Sequence, residues 1–246
     1  MTKIVLADTH MLPVPHRLDV ASWTKLGAEV RDANCETEDD LIRECRDAHV
    51  IVYFGNNLPL TERVLDALPH CGLIQRVAVG FDSVDVEAAT KRGIFVANGA
   101  GYCDEDVANH ALALLMACHQ QLPLHHSNLL AGAWGKILDP PTERLSLQTV
   151  GIIGLGRIGG TFCRRVRPLV KQVLAYDPYI TPETAHSFGA ELVEWDDLLR
   201  QSDLVSLHCP LTSETRGMID AEAISKMKST ACLVNTARGP VVDLAA

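Results

Sequence analysis

Short apolar runs rich in β-branched residues alternate with amphipathic segments along the sequence. In the N-terminal part of the chain these runs predict buried strands at Lys3–Ala7, His49–Phe54, Leu73–Val79 and Ile94–Ala97. The segments between them predict helices at Thr37–Arg46, Thr61–Leu68 and Val84–Arg92. Such an alternation is typical of a parallel sheet that is covered by helices on both faces.

A second alternating series begins after a boundary that we predict near residues 98–103. It opens with the longest predicted helix, Asp104–Gln121, whose apolar face is predicted at Val107, Ala111, Leu114, Leu115 and Cys118. Residues 122–146 are predicted to be irregular because they contain Pro123, Gly132, Gly135, Pro140 and Pro141. Further strands are predicted at Thr149–Ile153, Gln172–Tyr176, Glu191–Val193, Leu204–Leu207 and Ala231–Asn235. The predicted fold class is α/β with two doubly wound parallel-sheet units.

A glycine-rich turn, Gly154-Leu155-Gly156-Arg157-Ile158-Gly159, directly follows one predicted strand and opens a predicted helix over 157–166. In a dinucleotide-binding turn the first glycine permits the tight bend and the second lets a pyrophosphate approach the backbone. The third glycine lets the helix and the strand pack closely, and the helix N-terminus offers N–H groups to the phosphates. A tight strand-to-helix turn without a ligand is the alternative interpretation.

Asp177 ends the next predicted strand and lies 23 residues after Gly154, close to the usual spacing of about 20 for an acid that binds ribose hydroxyls. Its carboxylate would repel a 2′-phosphate, and the following Pro178-Tyr179-Ile180 supplies no arginine or lysine to receive one. NAD is therefore favoured over NADP. A solvated aspartate at a strand end is the alternative.

Charge and cysteine content narrow the range of partners and compartments. The chain has 22 basic and 31 acidic residues, a net charge of −9, and no basic cluster, so we expect neither nucleic acid nor a membrane surface as a partner. No apolar run approaches the roughly 20 residues that span a bilayer. The eight cysteines form no C-x-x-C pair, and the histidines at 119, 125 and 126 have no metal-ligand spacing. We expect a soluble, cytoplasmic protein without a metal site.

Further motifs surround the glycine turn in a fixed order. Downstream are Tyr176-Asp177-Pro178, His208-Cys209-Pro210-Leu211 with Thr215, and Val234-Asn235-Thr236-Ala237-Arg238-Gly239. Upstream are Val79-Gly80-Phe81-Asp82-Ser83-Val84-Asp85 and Gly93-Ile94-Phe95-Val96-Ala97-Asn98. Together these motifs closely resemble the D-isomer-specific 2-hydroxyacid dehydrogenase family, which includes phosphoglycerate dehydrogenases and the C-terminal-binding-protein corepressors.

The resemblance implies a flavodoxin-like substrate domain over residues 1–100 and a Rossmann NAD-binding domain over residues 101–246 that lacks its last strands. The implied reaction interconverts a small 2-keto acid and a D-2-hydroxy acid with NAD in a cleft between the domains, within a homodimer. Arg238 would bind the substrate carboxylate and keto oxygen, and the Val79 and Gly80 N–H groups would bind the same carboxylate. Cofactor contacts are implied at Val107, Gly154, Gly156, Arg157, Ile158, Gly159, Asp177, His208, Cys209, Pro210, Thr215, Thr236 and Ala237.

The residues themselves also favour this site. His208 and Arg238 each follow a predicted strand of the second unit, so both fall at the carboxyl edge of a parallel sheet, where ligands bind. An arginine there can hold a carboxylate with two parallel hydrogen bonds and polarise a carbonyl. A surface ion pair is the alternative for Arg238, and His208 is open between a place near the cofactor and a structural role.

The family's proton-transfer pair, a histidine and a glutamate, follows the arginine motif, whereas this sequence ends at Val241-Val242-Asp243-Leu244-Ala245-Ala246. We therefore expect the chain to be a truncated form of a longer enzyme. Because proton transfer contributes about 10² to 10⁴ in rate, the 246-residue polypeptide alone is expected to show little NADH oxidation.

Two rival functions remain open. An NAD(H)-sensing, corepressor-like interaction protein with little turnover is favoured by the segment Tyr102-Cys103-Asp104-Glu105-Asp106-Val107. A related Rossmann enzyme such as S-adenosylhomocysteine hydrolase shares the glycine turn, but the Val79-Gly80 loop and the Asn235–Gly239 motif argue against it. The sequence does not identify which hydroxy acid is the substrate.

Overall fold

The structure, a computed structural model, describes residues 1–11, 18–55, 58–134 and 143–246. The chain divides into two compact units, Met1–Tyr102 and Cys103–Ala246. Each unit is built around a five-stranded sheet in which every strand pair is parallel.

The sheet of the N-terminal unit has the flavodoxin-like order β2-β1-β3-β4-β5. Its strands are β1 (Lys3–Ala7), β2 (Glu29–Ala33), β3 (Val50–Tyr53), β4 (Leu73–Arg76) and β5 (Phe95–Ala97). The strand order reverses between β1 and β3, and ligands of such sheets bind at the carboxyl ends of the strands beside this point. The residues that directly follow β1 and β3 lie beside this point, and those that follow β4 lie at the same edge of the sheet.

The described helices of the N-terminal unit are α1 (Val20–Lys25), α2 (Glu38–Cys45), α3 (Glu62–Asp66) and α4 (Val86–Lys91). Their starts are set by local polar contacts. The Thr37 hydroxyl accepts the Asp40 N–H at 3.1 Å while the Asp40 carboxylate accepts the Thr37 N–H at 3.1 Å, which is a capping box. Asp85 accepts the Ala88 N–H at 2.8 Å and so opens α4.

The helix α1 and the strand β2 were not predicted from the sequence. The strand β2 has the sequence Glu-Val-Arg-Asp-Ala, lies at the edge of the sheet and is mostly half-buried or exposed. Such a strand contains no apolar run, because only its inner side packs against the protein. Pairing with β1 and the ion pairs from Arg31 to Glu44 and Asp47 hold it in place.

The C-terminal unit has the strand order β10-β9-β6-β7-β8, which contains the first five strands of the Rossmann order. Its strands are β6 (Thr149–Ile153), β7 (Gln172–Tyr176), β8 (Glu191–Leu192), β9 (Leu204–Leu207) and β10 (Cys232–Asn235). Its described helices are α5 (Asp104–His119), α6 (Leu122–Leu130), α7 (Arg157–Val166), α8 (Pro182–Phe188), α9 (Trp195–Gln201) and α10 (Ala221–Lys226). The predicted fold class, two doubly wound parallel-sheet units of flavodoxin-like and Rossmann type, is confirmed.

Residues 122–130 were predicted to be irregular, and this prediction is wrong. They form α6, which begins at Leu122 and has Pro123 in its first turn. A proline is tolerated there because the first N–H groups of a helix have no partner within the helix. The helix is followed by Gly132 with a φ of +73°. Gly135, Pro140 and Pro141 lie outside the described residues.

The buried face of α5 also differs from the predicted one. Ala108, Ala111, Leu115 and His119 are buried, whereas Leu114 and Cys118 are exposed. The segment is apolar on several sides, so periodicity alone does not identify the face that packs. The face that packs contains the small residues Ala108 and Ala111, which belong to the same core cluster as Phe162 and Cys163 of α7.

None of the helices described here has the combination of length and hydropathy that is needed to cross a bilayer.

The orientation of α5 predicts a difference between two adjacent leucines. Leu115→Ala should lower the free energy of unfolding by about 2–5 kcal/mol, because Leu115 is fully buried and its loss leaves a cavity. Leu114→Ala is the matched control, since Leu114 is 36% exposed, and should cost less than about 1 kcal/mol. Urea unfolding followed by circular dichroism measures both values. Equal losses would contradict the observed helix face.

Candidate functional site

The turn between β6 and α7 requires glycine at its first position. Gly154 has a φ of +88°, and its N–H donates to the Tyr176 carbonyl at 3.0 Å. A Cβ atom on Gly154 would lie 2.8 Å from the Cys209 backbone nitrogen and 2.9 Å from the His208 carbonyl carbon. Both the backbone conformation and the close approach of the β9 end therefore exclude a side chain here.

The other two glycines of the turn differ in what surrounds them. A Cβ on Gly159 would lie 2.1 Å from the Gly154 carbonyl oxygen, so this glycine allows α7 to pack against the turn. A Cβ on Gly156 would meet no described atom within 4 Å. Gly156 is the N-cap of α7, and no side chain in the described part of the chain caps the first turn of this ten-residue helix. The open space at Gly156 therefore lies where the helix N–H groups need an acceptor.

Asp177 connects the glycine turn to the end of β7. Its Oδ2 accepts the Leu155 N–H at 2.9 Å and its Oδ1 accepts the Tyr179 N–H at 3.0 Å. The side chain is half-buried. Each carboxylate oxygen has a second lone pair, so both can still accept from a ribose hydroxyl. The structure thus gives Asp177 a part in shaping the turn that the sequence did not reveal.

Arg157, at the start of α7, is tied to the start of α5. Its Nε donates to the Asp104 Oδ2 at 2.8 Å, and Arg165, further along α7, donates to Glu105 at 3.2 Å. Asp104 was not among the predicted site residues, because nothing in the sequence pairs it with the glycine turn. Val107 of α5 and Ile158 of α7 are both half-buried.

His208 lies behind the glycine turn and is held there by its own sheet. Its Nε2 lies 2.9 Å from the Ser206 hydroxyl, and its ring packs on Phe162 with 5.0 Å between ring centres. Burial lowers the pKa of His208 to about 4. Burial therefore disfavours the protonated imidazole, and the ring is neutral near pH 7.

The segment after β9 is fixed by threonine side chains. The Thr215 hydroxyl donates to the Pro210 carbonyl at 2.6 Å and accepts the Thr212 N–H at 2.8 Å. Cys209 is buried, with its Sγ 3.8 Å from the Met218 sulfur. Three of the predicted cofactor contacts, Cys209, Pro210 and Thr215, thus belong to one ordered segment that begins beside Gly154.

Arg238 follows β10 in a turn organised by Asn235. The Asn235 Oδ1 accepts the Ala237 N–H at 3.0 Å, and its Nδ2 donates to the Arg238 carbonyl at 2.8 Å. The Arg238 side chain is half-buried, and its Nη1 donates to the Ala237 carbonyl at 2.9 Å. Thr236 Oγ1 is buried and has no hydrogen-bond partner among the described residues. The asparagine of the sequence motif therefore acts as a brace for the arginine.

Val79 and Gly80 lie in the N-terminal unit, in a loop that follows β4. The strand here was predicted over Leu73–Val79, but β4 ends at Arg76 and the loop begins at Val77. The remaining predicted site residues all lie in the C-terminal unit.

The residues of the C-terminal unit fit a nicotinamide dinucleotide. Open space at Gly156 lies beside a helix N-terminus without a side-chain cap, which suits a pyrophosphate. The Asp177 carboxylate retains lone pairs for a ribose, and the buried Thr236 hydroxyl lacks a partner among the described residues. No group of three or more His, Cys, Asp or Glu side chains in the described residues is placed to hold a metal ion.

The burial of His208 predicts a dependence of stability on pH. Its pKa in the folded protein is about 4, below the usual 6.5, so below pH 6.5 the unfolded chain binds the proton more tightly. Above about pH 6.5 the protonation of His208 does not affect the free energy of unfolding. Between pH 6.5 and 4 it lowers this free energy progressively, because the unfolded chain takes up the proton and the folded protein does not. When the pH is lowered from 7 to 5, the free energy of unfolding should fall by roughly 2 kcal/mol more in the wild type than in His208→Gln. Urea unfolding at both pH values tests this, and parallel losses in the two proteins would contradict it.

Comparison with known proteins agrees with this geometry. A family model for the D-isomer specific 2-hydroxyacid dehydrogenase NAD binding domain matches residues 112–246. D-3-phosphoglycerate dehydrogenase of Mycobacterium tuberculosis is 39% identical over 218 residues, which cover 89% of this chain and 41% of that enzyme. Glyoxylate reductase of Korarchaeum cryptofilum is 39% identical over 207 residues, which cover 82% of this chain and 62% of the relative.

A solved structure resembles the whole fold. D-lactate dehydrogenase from Aquifex aeolicus, crystallised with NAD and lactic acid, matches with a TM-score of 0.85 at 30% identity, over 98% of this chain and 70% of that one. The chain spans less than half the length of the phosphoglycerate dehydrogenases that it matches. It belongs to the D-isomer-specific 2-hydroxyacid dehydrogenase family, and its C-terminal unit carries that family's NAD-binding domain.

Proposed function

We propose that the protein interconverts a 2-keto acid and a D-2-hydroxy acid by hydride transfer with NAD(H). The observation that carries this proposal is that Arg238 is braced by Asn235 at the carboxyl edge of the same sheet that carries the glycine turn. Ligands of such sheets bind at this edge. The family and its NAD-binding domain support the same reaction class.

In this proposal the glycine turn and Asp177 hold the cofactor. The N–H groups at the start of α7 bind the pyrophosphate at Gly156, Arg157, Ile158 and Gly159, and the Asp177 carboxylate binds the ribose hydroxyls. The segment Cys209–Thr215 and the residues Val107, Thr236 and Ala237 complete the cofactor contacts. The bound NAD supplies or accepts the hydride.

Arg238 is proposed to bind the substrate carboxylate and the keto oxygen. Its planar guanidinium can make two parallel hydrogen bonds to a carboxylate, and its positive charge stabilises negative charge that develops on the oxygen as hydride arrives. The N–H groups of Val79 and Gly80 are proposed to bind a substrate carboxylate. His208 is proposed to lie beside the cofactor and not to accept the proton, because burial disfavours its protonated form.

We also propose that the protein forms a homodimer and is located in the cytoplasm. The helix α6 leaves Leu122, Leu124, Leu129 and Leu130 exposed, and Trp134 beyond it is 86% exposed. Apolar surfaces of this kind are common at protein interfaces. All eight cysteines are free thiols, five of them buried, which suits a reducing compartment.

Two alanine variants in the glycine turn should affect different properties, one the affinity for NADH and the other the stability of the fold. Gly156→Ala should fold normally, because its Cβ meets no described atom, but should weaken NADH binding at least about tenfold by occupying the pyrophosphate space. Gly159→Ala should instead lower the melting temperature, because its Cβ would lie 2.1 Å from a carbonyl oxygen. Calorimetric NADH titration and thermal unfolding measure the two effects. Unchanged NADH affinity in a folded Gly156→Ala would contradict the proposed pyrophosphate position.

The reaction is tested on the full-length protein. NADH oxidation should be seen with at least one of glyoxylate, pyruvate, hydroxypyruvate and 3-phosphohydroxypyruvate. Arg238→Lys should lower kcat/KM about 10²-fold or more, because lysine cannot reproduce the bidentate contact, and should leave NADH affinity unchanged. Arg200→Lys, on the exposed face of α9, is the matched control and should keep full activity. Tight NADH binding without turnover on any of these acids would instead favour the NADH-sensing, corepressor-like function.

A further inference from the structure

The loop after β4 has its carbonyl groups bound from within the N-terminal unit. The Ala78 carbonyl accepts the Gly99 N–H at 2.9 Å. The next carbonyl, that of Val79, accepts the Asn98 side-chain Nδ2 at 2.8 Å. Both donors follow β5, so the end of that strand fixes the orientation of these two peptide groups.

A buried arginine binds the following carbonyl. Arg76 is 1% exposed, and its Nε donates to the Gly80 carbonyl at 3.3 Å. Its Nη1 donates to the carbonyls of Tyr53 at 3.1 Å and Gly55 at 2.5 Å, and its guanidinium lies 5.0 Å from the centre of the Tyr53 ring. Arg76 thus joins the end of β3 to the loop after β4. A lysine has a single ammonium group in place of the planar guanidinium, so it could not donate to these three carbonyls in the same fixed geometry.

This arrangement determines where the N–H groups of the loop point. In a trans peptide the N–H and the C=O point in opposite directions. Because the carbonyls of Ala78, Val79 and Gly80 face their donors inside the unit, the N–H groups of Val79, Gly80 and Phe81 face the other way. None of these N–H groups has an acceptor among the residues that the structure describes. Consecutive unpaired N–H groups are a recurrent way of binding anions.

We propose that Arg76 and Asn98 are positioning residues that hold the Val79, Gly80 and Phe81 N–H groups as a preformed site for the carboxylate of a 2-keto or 2-hydroxy acid. This inference rests on the proposed function and adds to it a third N–H donor and the two side chains that orient the loop. Neither side chain contacts the acid. Arg76 acts through the Gly80 carbonyl because its guanidinium is buried, and Asn98 acts through the Val79 carbonyl.

Oxalate is a suitable probe, since it carries a carboxylate next to a second carbon–oxygen group. The ¹H–¹⁵N resonances of Val79, Gly80 and Phe81 are followed while oxalate is added to the NADH-saturated protein. In the wild type these resonances should shift together and saturate. In Asn98→Ala the Val79 carbonyl loses its donor, the loop is no longer held, and oxalate affinity should fall about tenfold.

Two comparisons separate positioning from a general loss of structure. Asn34→Ala removes an exposed asparagine from the same unit and should behave as the wild type. The NADH affinity of Asn98→Ala should remain within about twofold of the wild type, because its cofactor contacts are unaltered. Arg76→Lys should weaken oxalate binding to a similar degree. If Arg76→Lys does not fold, the comparison of Asn98→Ala with the wild type is sufficient to test the proposal.

The failures of the two ideas can be told apart. If the wild type binds NADH but its Val79, Gly80 and Phe81 resonances ignore oxalate, the proposed substrate site and this inference are both wrong. If the wild type responds and Asn98→Ala responds with the same affinity, the positioning role alone is overturned.

Discussion

The C-terminal unit depends on the close approach of α7 to the end of β6. A Cβ on Gly159 would lie 2.1 Å from the Gly154 carbonyl oxygen, and a Cβ on Gly154 would lie 2.8 Å from the Cys209 nitrogen at the end of β9. Glycine at these two positions is what lets the helix begin directly above the sheet. As a consequence the uncapped N-terminus of α7 faces open space at Gly156, and the anion-binding property of that helix end becomes available to a ligand.

Both units fix the loops that we propose as ligand contacts in the same physical way. A polar side chain binds backbone groups of a neighbouring segment and so decides which backbone groups are left for a ligand. Asp177 accepts the Leu155 N–H, Asn235 braces the turn of Arg238, and Asn98 donates to Val79. The cost of leaving a buried backbone group unpaired makes each orientation stable. The loops are thereby shaped before any ligand arrives, which reduces the ordering that binding requires.

Much of the fold could be predicted from the sequence because its strands are short, buried and apolar, and its helices carry local signals such as the capping box at Thr37. The edge strand β2 was missed because a half-exposed strand has no apolar run, and α6 was missed because Pro123 reads as a breaker although it is harmless in a first turn. For the site, the motifs predicted Gly154 to Gly159 and Arg238 as ligand contacts. Contacts such as Arg157 with Asp104 have no local signature, since they arise only when distant elements meet.

The most direct test of the account is a crystal structure of the chain with NAD bound. We expect the pyrophosphate to lie at Gly156, within hydrogen-bond distance of the N–H groups that begin α7, and the adenosine ribose hydroxyls to donate to Asp177. Cofactor bound away from this turn, or a pyrophosphate that makes no contact with the start of α7, would contradict it.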